Sequence, residues 1–176
     1  MRDELKIQLD GPTGAVASFG PVVYLIWRAH DSLDPINAAD VVMERLIERY
    51  GPGRKIFYVQ RAPETDGRAA YRSDPQVRDA ALKHFERHDA SVAAAAVAIE
   101  AVGFRGSVIR SITAGVLLVR RTAIKTEAFK DARDGVRWLA GLARDVNPFD
   151  GEAMIKSLEA NRLALSDQPL AAAGKR

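Results

Sequence analysis

Apolar and polar residues alternate in the first part of the chain. In Leu5-Lys6-Ile7-Gln8-Leu9 every second residue is apolar, and Asp10-Gly11-Pro12 follows. This pattern is typical of a half-buried strand that ends in a turn. Residues Val22–Trp27 form a continuous β-branched and aromatic run, which indicates a strand covered on both faces. The pattern predicts a first strand at 5–9 and a second, central strand at 22–27.

The period of the apolar positions changes after the second strand. Apolar residues recur three and four apart from Ile36 to Tyr50, which predicts an amphipathic helix. We expect Asp34 to be its N-cap, Pro35 to occupy its first turn and Gly51 to follow its end. Residues 55–60 read as another strand. A strand, a helix and a strand in this order predict a parallel pair joined by a crossover.

The next helix is predicted from about Asp74 to His88. We expect Ser73 to be its N-cap, because Gln76 follows three residues later and Pro75 fits the first turn. Residues 92–100 are ambiguous, because the alanines favour a helix while the β-branched residues fit a strand. The topology has to decide between the two.

The rest of the chain again shows helical spacing. The pattern predicts a helix over 104–119, a short strand over 124–129 and a core helix starting at Asp131. Its apolar face carries Val136, Leu139, Ala140 and Ala143. If 92–100 is a strand, the chain alternates strands and helices and has five strands.

This order of elements, together with three segments of the C-terminal half, resembles the STAS-like families. These are the domains of sulfate transporters and anti-sigma-factor antagonists, with relatives similar to the lipid-binding Sec14 fold. The segments are Phe104-Arg105-Gly106-Ser107-Val108-Ile109-Arg110-Ser111, residues 124–129, and Asp131-Ala132-Arg133-Asp134-Gly135-Val136-Arg137-Trp138-Leu139. In such families a helix after the fourth strand is followed by a short strand ending in Phe and a helix with an acidic residue, Ala and Leu three apart.

The resemblance covers about residues 4–143. It implies an α/β fold with a mixed, mainly parallel sheet of about five strands, and it favours 92–100 as the fourth strand. We therefore expect a STAS-like domain over 1–145, followed by a C-terminal helical extension and mobile tail over 146–176.

One motif of the family is missing. Anti-sigma-factor antagonists carry Asp-Ser-Ser-Gly between the third strand and the next helix, where a serine at the helix N-terminus is phosphorylated. The corresponding interval here, 61–74, is longer and lacks that motif. Ser73 lies nearest the helix start, and its N-cap role competes with a regulatory phosphorylation site.

Composition excludes several classes of function. The 176 residues include no cysteine, which excludes disulfides, cysteine nucleophiles and thiolate metal sites. A net charge of +3, from 26 basic and 23 acidic residues, gives no reason to expect nucleic acid as a partner. We find no signal segment and no run of about 20 apolar residues, so we expect a cytoplasmic protein with no membrane span.

The candidate chemistry is limited. His84 and His88 are four apart on the predicted helix and share a face, as two zinc ligands do. However, Glu86 does not follow the first histidine directly, a third ligand must come from elsewhere, and the remaining histidine is His30. We therefore expect no tightly bound divalent metal, no cofactor and no catalytic residues. The turn at 11–14 also lacks the spacing of a phosphate loop.

The one local charge excess lies between residues 105 and 130. It comprises Arg105, Arg110, Arg120, Arg121, Lys125 and Lys130 against Glu127. It lacks the interleaved aromatic residues of a nucleic-acid platform but fits an anion or an acidic partner. The candidate partner surface consists of Tyr71, Arg72, Ser73, Arg105 and Arg110.

We therefore expect a non-enzymatic STAS-like protein that binds another protein in the cytoplasm, in a regulatory or scaffolding role, with self-association as one form of that binding. The alternative is a small-molecule or lipid-binding module with an apolar pocket beside the helix 104–119, as the Sec14 resemblance implies.

A further helix is predicted over 152–165. Its narrow apolar stripe is formed by Ile155, Leu158 and Leu165. Such a short helix has to pack on something, either on its own domain or on a partner. We expect it to dock intramolecularly and to add modest stability.

Overall fold

The computed structural model describes residues 3–28, 32–53, 55–62, 74–99, 124–161 and 163. The strands in these ranges are β1 (Leu5–Asp10), β2 (Gly14–Phe19), β3 (Val22–Trp27), β4 (Ile56–Ala62), β5 (Val92–Ile99) and β6 (Lys125–Phe129). The helices are α1 (Asp34–Tyr50), α2 (Pro75–His88), α3 (Ala132–Ala143) and α4 (Gly151–Ala160). The predicted helix 104–119 and residues 164–176 lie outside the described ranges.

The described strands form one mixed sheet in the order β1-β2-β3-β4-β5-β6. The pairs β1–β2 and β2–β3 are antiparallel, and the pairs from β3 to β6 are parallel. The fold class is therefore α/β with a mainly parallel sheet, as predicted. Within the described ranges the sheet has six strands instead of five.

The additional strand is β2, which the sequence pattern did not reveal. All six of its residues are buried, so no polar position alternates with an apolar one. Small residues such as Ala15, Ala17 and Ser18 also give a weak strand signal. The strand forms a hairpin with β3, and Gly20 turns the chain at a φ of 53°.

The ambiguous alanine-rich segment is a strand. Strand β5 pairs in parallel with β4 on one side and with β6 on the other. Its alanines allow a close approach of α3, since a Cβ added at Gly135 would lie 2.9 Å from the Cβ of Ala96. The pairing of both edges therefore decides against the helical preference of alanine.

The sheet separates two apolar layers. Residues Val23, Leu25 and Trp27 of β3 pack with α1 and α2 on one face. Residues Tyr24 and Ile26 pack with α3 and α4 on the other face. Because β3 is buried on both faces, it lies at the centre of the molecule, as its continuous apolar run predicted.

Two predicted helix caps are wrong. Asp34 is the first residue of α1, and the N-cap position is occupied by Leu33, which makes no side-chain capping hydrogen bond. The N-cap of α2 is Asp74, whose carboxylate accepts a hydrogen bond from the backbone N–H of Gln76 at 2.7 Å. An aspartate caps a helix as well as a serine does, and Asp74 directly precedes Pro75. Ser73 lies outside the described residues.

Helix α4 docks on its own domain, as predicted, but it begins at Gly151 and ends at Ala160. Its side chains Met154, Ile155 and Leu158 are buried in the core that also contains Leu139 of α3. The hydroxyl of Tyr24 donates a 3.5 Å hydrogen bond to the carbonyl of Leu163 and holds the chain beyond the helix. Leu165, the third residue of the predicted stripe, lies outside the described residues.

None of the helices in the described part of the chain is both long enough and apolar enough to cross a membrane.

Candidate functional site

Three ionisable side chains meet between α1 and α2. His84 and His88 lie one turn apart on the same face of α2, and Asp40 lies on α1 opposite them. The Nδ1 atom of His84 is 2.8 Å from Oδ1 of Asp40, and the Nε2 atom of His88 is 2.9 Å from the same oxygen. One carboxylate oxygen is therefore bonded to both imidazoles. We call this group the Asp40 cluster.

The second carboxylate oxygen of Asp40 faces a cation. The Nη1 atom of Arg87 lies 3.3 Å from Oδ2. The Asp40 side chain is 21% exposed and that of Arg87 is 58% exposed, whereas both histidines are 4% exposed. The cluster is thus open to solvent on the carboxylate side, while the imidazoles lie behind it.

The electrostatics of the cluster are set by burial and by these hydrogen bonds. Burial acts to raise the pKa of Asp40, but the hydrogen bonds from His88 and His84 and the charges of His84 and Arg87 lower it overall. Burial lowers the pKa of His84 despite the opposing effect of Asp40. A neutral His84 that donates from Nδ1 to the carboxylate keeps a lone pair on Nε2.

Two aromatic rings pack against the imidazole of His84. The ring of Tyr58 on β4 meets the ring of His84 edge to face at a centroid distance of 5.8 Å, and that of Phe85 does so at 5.2 Å. The Tyr58 hydroxyl and Nε2 of His84 are both buried and have no hydrogen-bond partner among the described residues. Burial raises the pKa of Tyr58, so its hydroxyl stays protonated.

The three side chains of the Asp40 cluster carry donor atoms that could hold a metal ion. One atom from each of the three side chains lies within 4.8 Å of the others. Two imidazole nitrogens and one carboxylate oxygen are ligands that zinc and related divalent metals accept. Asp40 thus stands where the third ligand required by the histidine spacing would be, and His30 lies outside the described residues. The sequence gave little indication that Asp40 belongs to such a site, because Asp40 simply follows the buried Ala39 in the amphipathic helix α1.

The candidate partner surface predicted from the sequence lies outside the described residues: Tyr71, Arg72, Ser73, Arg105 and Arg110. The ends of the strands that lead to it are described. The last residue of β4, Ala62, pairs with Ile99, the last residue of β5. These two adjacent strand ends are followed in the sequence by 63–73 and 100–123, which lie outside the described residues.

A buried charge that sequence reasoning missed lies next to this edge. Arg61 of β4 is 2% exposed and pairs in register with Ile26 of β3 and Ala98 of β5.

Of the basic residues between 105 and 130, Lys125 and Lys130 are described. The Lys125 ammonium lies 5.7 Å from the centre of the Trp138 ring.

A cavity of about 240 Å³ lies where β1, β2 and α1 meet. Its walls include Lys6, Glu4, Arg45 and Arg49, with Val42 and Leu46 as apolar residues. Small-molecule sites usually enclose about 300–1,000 Å³ and are mainly apolar. This cavity therefore differs from the apolar pocket expected beside the helix 104–119, a helix that lies outside the described residues.

Comparisons with protein-family models, curated proteins and solved structures find no match for this chain.

Proposed function

We propose that this chain is a non-enzymatic, STAS-like domain that acts in the cytoplasm by binding another protein, in a regulatory or scaffolding role. The observation that carries the proposal is the common end of β4 and β5 at one edge of the sheet, where Ala62 pairs with Ile99. In open α/β sheets, binding sites lie beyond the carboxyl ends of the parallel strands. Both segments of the candidate partner surface start at this edge.

The composition of those segments fits a protein partner. The segment after β4 contains Tyr71 and Arg72, and the segment after β5 contains Arg105 and Arg110. Tyrosine and arginine are enriched at protein interfaces, and arginine pairs with carboxylates through two hydrogen bonds. An acidic surface on the partner is the complement that this composition favours.

The Asp40 cluster supports a role other than catalysis. A general base or nucleophile has to reach its substrate within hydrogen-bond distance. Both imidazoles are 4% exposed, and each is bonded to Asp40, whose other oxygen faces Arg87. The cluster thus connects two helices and does not present a reactive nitrogen to solvent.

The test is affinity capture from a lysate of the source cells. The wild-type chain is compared with two single charge reversals, Arg105→Glu and Arg110→Glu, and with a control reversal at the exposed Arg144. We expect one stoichiometric protein partner that is retained by the wild type and by Arg144→Glu and is lost by the two variants. Sedimentation of the purified chain over a range of concentrations tests whether the partner is a second copy.

Two results would contradict the proposal. One is that no protein is retained by the wild-type chain. The other is that Arg105→Glu, Arg110→Glu and Arg144→Glu retain the same proteins equally well. Native mass spectrometry adds an independent measurement, because a small molecule retained by the purified chain would favour the ligand-binding alternative.

A further inference from the structure

We propose that the Asp40 cluster binds one divalent transition-metal ion of the zinc type, which links α1 to α2. The ligands are Nδ1 of His84, Nε2 of His88 and a carboxylate oxygen of Asp40. This metal site is independent of the proposed function, since it lies between α1 and α2 on one face of the sheet and uses none of the residues of the partner surface.

The distances from the carboxylate oxygen to the two nitrogens are close to those between the ligands of a bound ion. Zinc lies about 2.0–2.2 Å from nitrogen and carboxylate ligands in tetrahedral sites, so two ligand atoms are about 3.3 Å apart. Oδ1 of Asp40 is 2.8 Å from Nδ1 of His84 and 2.9 Å from Nε2 of His88. Rotation of the Asp40 side chain by about half an ångström brings its oxygen to this spacing. The three donor atoms, which all lie within 4.8 Å of one another, adjust to it together when the ion binds.

The convergence of both rings on one oxygen is more than a link between helices needs. A single hydrogen bond between Asp40 and one histidine connects α1 to α2. Here a second buried imidazole approaches the same atom, so that Nδ1 of His84 and Nε2 of His88 both face Oδ1 of Asp40. A metal ion at the centre of the three donor atoms explains why they point to one place.

The approach to the site is also defined. The ion reaches the cluster from the side of Asp40, which is 21% exposed, and a water molecule completes the tetrahedron there. Arg87 is the cation on this side, 3.3 Å from Oδ2 of Asp40. It neutralises the carboxylate in the absence of metal and competes with the incoming ion.

In the experiment, the purified full chain is treated with a chelator and then titrated with Zn²⁺ alone, and calorimetry measures the binding. We expect one ion per chain. Asp40→Asn, His84→Gln and His88→Gln are each expected to weaken binding by at least about 100-fold, as loss of a direct ligand costs more than loss of a supporting group. The matched control is Glu44→Gln, which removes the same charge one turn along α1 at an exposed position.

Two further measurements separate metal binding from a purely structural cluster. Arg87→Gln is expected to tighten Zn²⁺ binding, because it removes the competing cation. Zn²⁺ is expected to raise the melting temperature of the wild type by several degrees and to leave that of Asp40→Asn unchanged. Circular dichroism checks that each variant is folded.

The wild-type chain provides a readout that does not depend on the folding of any variant. Co²⁺ bound to two imidazoles, a carboxylate and water in a tetrahedron gives intense visible absorption bands. The proposal is overturned by weak bands of an octahedral ion, by the absence of stoichiometric Zn²⁺ binding, or by equal affinity of Asp40→Asn and Glu44→Gln.

Discussion

The docking of α4 makes a quantitative prediction for Leu158→Ala. Leu158 is 1% exposed and belongs to the same apolar core as Leu139 and Val136 of α3. Replacing a buried leucine by alanine removes transfer free energy and leaves a cavity, at a cost of 2–5 kcal/mol. We expect a loss of about 3 kcal/mol in the free energy of unfolding, or roughly 6–12 °C in melting temperature for a chain of this size.

The assay is urea denaturation and thermal melting followed by circular dichroism. The matched control is Leu33→Ala, because Leu33 is 39% exposed and makes no side-chain capping bond. A surface change of this kind shifts stability by less than about 0.5 kcal/mol. The urea dependence of the unfolding free energy is expected to be the same in both variants, which shows that the unfolded state is unaffected.

The same reasoning sets the effect of removing the whole helix. Truncation after Arg144 removes the buried side chains Met154, Ile155, Leu158 and Leu163. At about 1.5–3 kcal/mol per buried side chain, they contribute about 6–12 kcal/mol before the entropy of ordering is subtracted. Typical domains are stable by 5–15 kcal/mol. The ordering entropy of the segment offsets much of this contribution. The truncated chain is therefore expected to melt at a lower temperature than the full chain, which thermal melting checks.

The exposed ion pair of α4 adds little to this stability. The guanidinium of Arg137 lies 2.8 Å from Glu152, but both side chains are more than half exposed. Exposed pairs of this kind contribute little. If Leu158→Ala melted at the same temperature as Leu33→Ala, α4 would not be docked in solution, and the alternative of a partner-binding helix would gain support.

The remaining predictions concern local geometry. Gly135→Ala is expected to destabilise the protein by about 1 kcal/mol, because the new Cβ would lie 2.9 Å from that of Ala96. Gly141→Ala is expected to stabilise it by about 0.5–1 kcal/mol, because an added Cβ would meet no neighbouring atom within 4 Å. Urea denaturation checks that the two changes in the free energy of unfolding have opposite signs. Asp74→Ala is expected to cost about 0.5–2 kcal/mol through loss of the α2 cap, and Ser73→Ala less; a larger loss for Ser73→Ala would restore serine as the cap.

The sequence by itself determined the elements that depend on local periodicity. Residues Asp34–Tyr50, Pro75–His88 and Ala132–Ala143 are helices close to the predicted bounds, and Val22–Trp27 is the predicted central strand. The apolar residues of the helices are spaced as one buried face requires, and the continuous apolar run of the strand fits burial of both its faces. The α/β class followed from the order of these elements.

Tertiary structure decided the elements whose local signals are weak or divided. Val92–Ile99 is a strand because β4 and β6 pair with it on both sides. Gly14–Phe19 is a strand because β3 pairs with it in a hairpin, although its residues show no alternation. Hydrogen bonds between strands connect residues distant in sequence, so a local pattern does not contain them.

The same distinction applies to the Asp40 cluster. Helical periodicity placed His84 and His88 on one face of α2, because residues four apart share a face. The carboxylate that joins them is 44 residues earlier than His84. The packing of α1 beside α2 on the same side of the sheet brings it within hydrogen-bond distance, and this packing depends on the apolar cores of all the neighbouring elements.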